Sequence, residues 1–229
     1  MLMTSTVSVL IPAYNAGRYV SECLESVFRQ TFPPAELIVI NDGSTDDTLD
    51  RLLTYADRIS LHNRENRGVC QTLNEAIDYA SGQWVAFLDA DDHWAPDKLA
   101  RQVDFLQQNA DLDACFGHIQ QFVSPDLPPD IQAGIACQNS PQPGWLKTTL
   151  LIRREAFSQT GLFNPTYKTG DFVEWFSRAK HMGLRFTMLP DLVAYRRLHR
   201  SGLASQTQHH HEFAHILKAH LDRRRGQPV

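Results

Sequence analysis

The chain is poor in the features that announce several common protein classes. It has four cysteines, Cys23, Cys70, Cys115 and Cys137, and no two form a CxxC pair. That spacing argues against a zinc ribbon, a dithiol redox motif and a disulfide-stapled scaffold. Each cysteine is expected to be a reduced, buried, small hydrophobe in a cytoplasmic protein. No apolar run approaches the roughly 18 residues needed to span a bilayer. The longest, at 7–12 and 84–88, are stopped by Pro12 and Asp89. Residues 1–6 offer neither a basic stretch nor an apolar one, so no secretory signal is expected. Lysine and arginine number 22 against 26 aspartates and glutamates, which argues against a dedicated nucleic-acid binder. No GxGxxG follows the first apolar run and no GxxxxGK[ST] occurs, so the dinucleotide fingerprint and the P-loop are both absent.

What is present is a regular alternation. At 229 residues and 42% hydrophobic, the chain has room for one domain with a full core. Short apolar runs at 7–11, 37–40, 59–62 and 84–88 alternate with helical periodicity at 16–30, 44–55, 69–80 and 95–108. Asn15 is a candidate N-cap, and Ser44 with Asp47 reads as a capping-box variant. Strands apolar throughout, separated by amphipathic helices, predict a mostly parallel α/β sheet with helices on both faces. This half covers about residues 6–112. The stretch 113–205 is less regular, with strands expected at 114–123, 150–152, 186–189 and 193–198. Helices are expected at 153–159 and 172–182. The segment 124–144 holds five prolines and two glycines and reads as loop-rich. Residues 206–229 read as a C-terminal amphipathic helix, and the whole as a single domain.

Ligands of open parallel sheets bind at the carboxyl ends of the strands. Three strand ends here are polar: Pro12-Ala13-Tyr14-Asn15, then Asn41-Asp42-Gly43-Ser44, then Asp89-Ala90-Asp91-Asp92. The topology brings them to one edge. Three carboxylates within four residues are costly without a cation or a hydroxyl-rich ligand. Mg²⁺ and Mn²⁺ favour one or two carboxylates plus ligand phosphates, so the third cluster suits a divalent metal on a diphosphate. The plain alternative is a solvated turn with Asp92 as a helix cap. Asp42 is placed to meet a base or ribose. Asp46 and Asp47, in the first helical turn, read as structural.

The segments VSVLIPAYN, LIVINDGSTDDT and ENRGVCQTLNEAIDYASGQWVAFLDADD, followed by WAPDKL and LIRREAF with GLF, resemble the family 2 glycosyltransferases of GT-A fold from about residue 6 to residue 205. The resemblance implies inverting transfer of a sugar from a nucleotide-diphosphosugar donor, UDP-linked by default, with Mg²⁺ or Mn²⁺. It implies donor contacts from Pro12, Ala13, Tyr14, Asn15, Asp42, Arg67, Asp89 and Ala90. It makes Asp91 the metal ligand with Asp89 beside it, and sets His199 toward the metal or diphosphate.

One departure bears on the catalytic base. The family places it in an acidic pair ahead of a helix, of the form E-D-x-D-x-W-x-R. Here the segment is Gly170-Asp171-Phe172-Val173-Glu174-Trp175-Phe176-Ser177-Arg178. Anchored at its start, the motif makes Asp171 the base. Anchored at Arg178, it puts Phe172 in the base's position and Glu174 on the last acid. Asp171 and Glu174, three residues apart, can share one helix face, and both stand as candidates. Phe172, Trp175 and Phe176 look like core.

The acceptor is open among a glycan, a lipid-linked glycan, a peptide and a small molecule. Trp145 and Lys147 fit a lining of its cleft, a core position or a solvent-facing one equally. The tract His209–His211 with His215 reads as solvated. Phe213, Ile216, Leu217 and Leu221 form a face suited to the domain itself or to a homodimer. Arg223, Arg224 and Arg225 offer a weak, salt-sensitive contact with anionic lipid at the inner face of the membrane. Two rivals remain: a nucleotidyltransferase acting on a sugar phosphate, and a non-catalytic nucleotide-sugar-binding protein.

Overall fold

The computed structural model describes residues 5–167 and 170–199. The C-terminal helix, its histidine tract and the Arg223–Arg225 run lie outside the described residues. Among the described residues no helix is long and apolar enough to cross a membrane.

The first half runs β1 (Val7–Ala13), α1 (Val20–Phe28), β2 (Glu36–Asp42), α2 (Thr48–Leu53), β3 (Ser60–Arg64), α3 (Val69–Tyr79) and β4 (Trp84–Phe87). Then come β5 (His93–Trp94), α4 (Lys98–Gln108), β6 (Ala114–Val123), α5 (Pro129–Ala133) and β7 (Gln142–Pro143). A single 3₁₀ turn at Lys147–Thr149 leads into β8 (Leu151–Arg153), α6 (Glu155–Thr160), α7 (Asp171–His181) and β9 (Phe186–Leu198). The sheet order is β3-β2-β1-β4-β8-β6-β9-β5, with β7 on β6. The strands β3, β2, β1 and β4 are mutually parallel. Beyond β4 the pairing turns antiparallel through β8, while β6 and β9 run parallel.

Two cores follow from the two-residue period of the strands. Val9, Ile11 and Val39 point to one face and pack with Val20 and Leu24 of α1 and Leu99 and Val103 of α4. Leu10, Ile38 and Ile40 point to the other and pack with Leu73 and Ile77 of α3 and Trp175 of α7. Pro12 is tolerated because pairing with β4 ends at Leu10, leaving β2 alone beside it.

Three local expectations change. Asn15 does not cap α1: it has φ +49° and Tyr19 occupies the cap position. The capping box at Ser44 and Asp47 does not form. Asp46 instead accepts the Thr48 N–H at 3.0 Å, while Ser44 serves another loop. The strands expected at 186–189 and 193–198 are one, β9. Pro190 falls where the register on β6 jumps from Phe116↔Met188 to His118↔Leu192, a bulge that needs no ladder donor.

Candidate active site

The first two strand ends are laced together. The Asn15 N–H donates to Ser44 Oγ at 3.0 Å, and the Thr45 N–H donates to Asn15 Oδ1 at 2.8 Å. The Ala16 N–H donates to Thr48 Oγ1 at 2.8 Å and the Gly17 N–H to Asp46 at 3.1 Å. Each bond satisfies a loop amide that would otherwise need water. Tyr14, just before these loop residues, is 53% exposed, while Ala13 is buried.

Asp42 is 2% exposed. Its two oxygens accept the backbone N–H groups of Arg67 and Gly68, each at 2.9 Å. Arg64 pairs with it at 3.2 Å. Arg67 thus meets Asp42 through its backbone, and its side chain is exposed; the guanidinium beside Asp42 is that of Arg64. Gly43 has φ +70°, and a Cβ there would lie 2.5 Å from the Asn66 nitrogen. Only glycine lets these loops close to that distance. An open groove of about 580 Å³ lies here, lined by Asn41, Gly43, Ser44, Asn63, Arg64 and Asn66.

The acidic loop after β4 is held from the second half of the chain. The Arg197 N–H donates to Asp92 Oδ1 at 2.9 Å, and Arg197 Nε donates to the Asp91 carbonyl at 3.0 Å. The guanidinium sits 4.6 Å from the ring centres of both Tyr19 and Phe122. Asp92 is therefore buried and bonded to β9, neither solvated nor a helix cap. His199 Nε2 lies 2.9 Å from Asp91 Oδ2. Burial, then repulsion from Asp91, pushes the Asp89 carboxyl above its usual range, opposed by Lys147 and Arg196. Burial, then Asp91 and Asp89, pushes Asp92 well up. Such crowding is relieved by a cation. Among the described residues no group of three or more metal-binding side chains stands together. The pair Asp91 and His199 fits a Mg²⁺ or Mn²⁺ ion whose remaining ligands are water and phosphate oxygens.

Asp171 is 3% exposed and opens α7. Lys147 Nζ donates to its Oδ2 at 2.8 Å. Lys147 precedes Thr148, whose Oγ1 accepts the Asp89 N–H, so the partner of this carboxylate is next in the chain to a residue that holds the acidic loop. Glu174 has a different setting. Arg178 binds both its oxygens, at 3.1 and 3.0 Å, and also donates to the Leu162 carbonyl at 2.9 Å. Arg178 thereby ties α7 to the loop after α6, with Glu174 holding its guanidinium. Phe172 packs its ring against Phe116, Trp175 and Phe176, so the register that places the base there is filled by core.

Three residues of this site carry no motif of their own: Arg64, Arg197 and Thr148, whose Oγ1 accepts the Asp89 N–H at 3.3 Å. Arg64 was findable, because it is the register partner of Asp42 across β2 and β3. Arg197 and Thr148 depend on pairings across the sheet that sequence spacing does not show.

A family model described as Glycosyl transferase family 2 matches residues 8–172. An uncharacterized glycosyltransferase of Rickettsia typhi is 33% identical over 193 residues, 74% of this chain and 57% of that protein. The Escherichia coli protein WfgD is a UDP-Glc:alpha-D-GlcNAc-diphosphoundecaprenol beta-1,3-glucosyltransferase. It is 40% identical over 105 residues, 45% of this chain and 42% of its own length. Across such curated relatives the chain spans between 37% and 57% of their length. Among solved structures, S. aureus TarS with UDP-GlcNAc superposes with a TM-score of 0.75 at 20% identity, covering 95% of this chain and 66% of that one. The Pyrobaculum calidifontis mannosyltransferase PcManGT with GDP-Man and Mn²⁺ gives 0.64 at 23% identity, covering 96% and 63%. The fold is that of the GT-A transferases.

Proposed function

Because the chain belongs to glycosyl transferase family 2, we propose that it moves a sugar from a nucleotide-diphosphosugar to a hydroxyl acceptor, inverting the anomeric centre. The observation that carries this is the link between the acidic loop and α7 through two adjacent residues: Thr148 Oγ1 accepts the Asp89 N–H and Lys147 Nζ donates to Asp171. UDP is the favoured nucleotide, on the strength of WfgD and of TarS with UDP-GlcNAc. A lipid-linked glycan is the favoured acceptor, since WfgD is named for one. The four free cysteines, three of them buried, support a reducing cytoplasmic setting.

Tyr14 offers a ring face to the base, and Asp42 holds the loop of Arg67 and Gly68 against the nucleotide. Asp91 and His199, with Asp89 beside them, would hold a divalent cation, which when bound supplies neutralisation of the diphosphate's charge. Asp171 takes the proton of the acceptor hydroxyl as that oxygen bonds to the anomeric carbon. The bond from that carbon to the diphosphate breaks, and its electron pair leaves with the nucleoside diphosphate. Attack and departure on opposite faces give inversion. Glu174, held by Arg178, supports α7 and takes no proton.

The test is incubation with Mn²⁺ and a panel of nucleotide sugars, measuring nucleoside diphosphate released. Wild-type protein should release it, and Asp171→Asn should lose at least about 100-fold while binding the diphosphate normally. Wild-type turnover by that variant overturns the base assignment. Pyrophosphate release from a nucleoside triphosphate and a sugar phosphate would mark a nucleotidyltransferase. Donor binding with no product would mark a binding protein.

A further inference from the structure

The four residues 147–150 join the two halves of the site, and three buried side chains hold them by successive carbonyl oxygens. Trp94 Nε1 donates to the Thr148 carbonyl at 2.9 Å. Gln102 Nε2 donates to the Thr149 carbonyl at 2.8 Å, and Lys98 Nζ reaches the Leu150 carbonyl at 3.5 Å. Trp94, Lys98 and Gln102 are all at most 2% exposed. Lys98 and Gln102 also bond each other at 2.5 Å. From this held segment, Thr148 accepts the Asp89 N–H and Lys147 grips Asp171.

The Lys147–Asp171 pair is largely shielded from solvent, with side-chain exposures of 14% and 4%. A buried ion pair is a poor source of net stability, because desolvation offsets the attraction. Its value is geometric: a lysine on a fixed segment sets where a carboxylate points. A base must lie within hydrogen-bond reach of the proton it removes, and small misplacements are expensive.

We propose that Lys147 is a positioning residue for transfer: it fixes the Asp171 carboxylate in the orientation that receives the acceptor's proton, and Trp94, Lys98 and Gln102 fix Lys147 through the backbone of 148–150. This rests on Asp171 being the base. Lys147 acts on the transfer step through Asp171, which it meets directly.

The experiment compares wild type, Lys147→Met, Lys147→Arg, Asp171→Asn and the Met/Asn double variant. Each is assayed with Mn²⁺ and the nucleotide sugar that wild type turns over best. Lys147→Met should lower kcat by about 10- to 100-fold. Its donor KM and its affinity for the nucleoside diphosphate should stay within about twofold of wild type. Lys147→Arg should restore most of the rate. Added to Asp171→Asn, the Met substitution should lower the residual rate no further, as expected when one residue acts through the other. Circular dichroism checks folding, and Lys147→Gln replaces the Met variant should that one fail to fold. A kcat within twofold of wild type, a loss confined to donor KM, or full additivity in the double variant overturns the proposal. If Asp171→Asn is inactive while Lys147→Met is not, only the role of Lys147 falls. If Asp171→Asn turns over normally, the base assignment falls and the proposal with it.

Discussion

Lys98 is the residue whose setting departs furthest from its ordinary chemistry. It has no exposed surface, and burial brings its ammonium down from 10.5 to about 7. The folded value lies below the unfolded one, so between pH 7 and 10.5 the unfolded chain holds the extra proton. Stability therefore rises with pH across that window, by on the order of 4 kcal/mol for this group. Wild type should gain on Lys98→Met as pH is raised from 7 to 10, measured by urea unfolding; parallel stabilities would show that Lys98 is solvated. At this scale the sequence was legible where a motif carried the residue. Asp42, Asp89 and Asp91 follow parallel strands whose carboxyl ends share one edge, and His199 meets Asp91. Lys147 was visible only as a cleft residue, and Arg197 not at all. Their roles come from a salt bridge and a strand pairing that no local pattern encodes. Phe172 and Glu174 show the converse: both fit a register of the motif, yet one is packed among aromatic rings and the other is held by Arg178.

At the scale of the element, apolar runs and helical periodicity located every strand of the parallel half to within two residues. Interruptions were harder to read. Pro190 and Asp191 look like a break between strands, but β9 continues through them because the bulge at Gly117 absorbs the extra residues. That bulge is tight: a Cβ on Gly117 would lie 2.6 Å from both methyl carbons of Val193 and 3.1 Å from the Asp191 carbonyl. Gly117→Ala should cost about 1–3 kcal/mol through this overpacking, seen as a lower Tm. Because β9 carries Arg197 and leads directly into His199, the same variant should also weaken binding of nucleoside diphosphate in the presence of Mn²⁺. A variant as stable as wild type would mean that β9 can shift freely past β6.

Over the whole molecule, β4 pairs with β8 from Trp84↔Arg153 to Ala86↔Leu151, so the sheet is continuous across both halves. Each core cluster also draws on both halves. The described residues should therefore unfold as one cooperative unit. Far-UV circular dichroism and tryptophan fluorescence should report the same midpoint in urea, with Trp84 and Trp94 in one half and Trp145 and Trp175 in the other. Two separated transitions would mean two independent domains. The layout of the parallel half follows from its alternating pattern; the joining of the second half does not, since short antiparallel strands leave little periodicity. The grip of Arg197 on Asp91 and Asp92 also bears on how such enzymes can be recombined. A donor-binding half grafted onto a foreign acceptor half would bring its DADD loop but leave behind the strand that folds it. Chimeras cut between α4 and β6 should therefore fail unless the new partner presents an arginine between two aromatic rings at the position of Arg197.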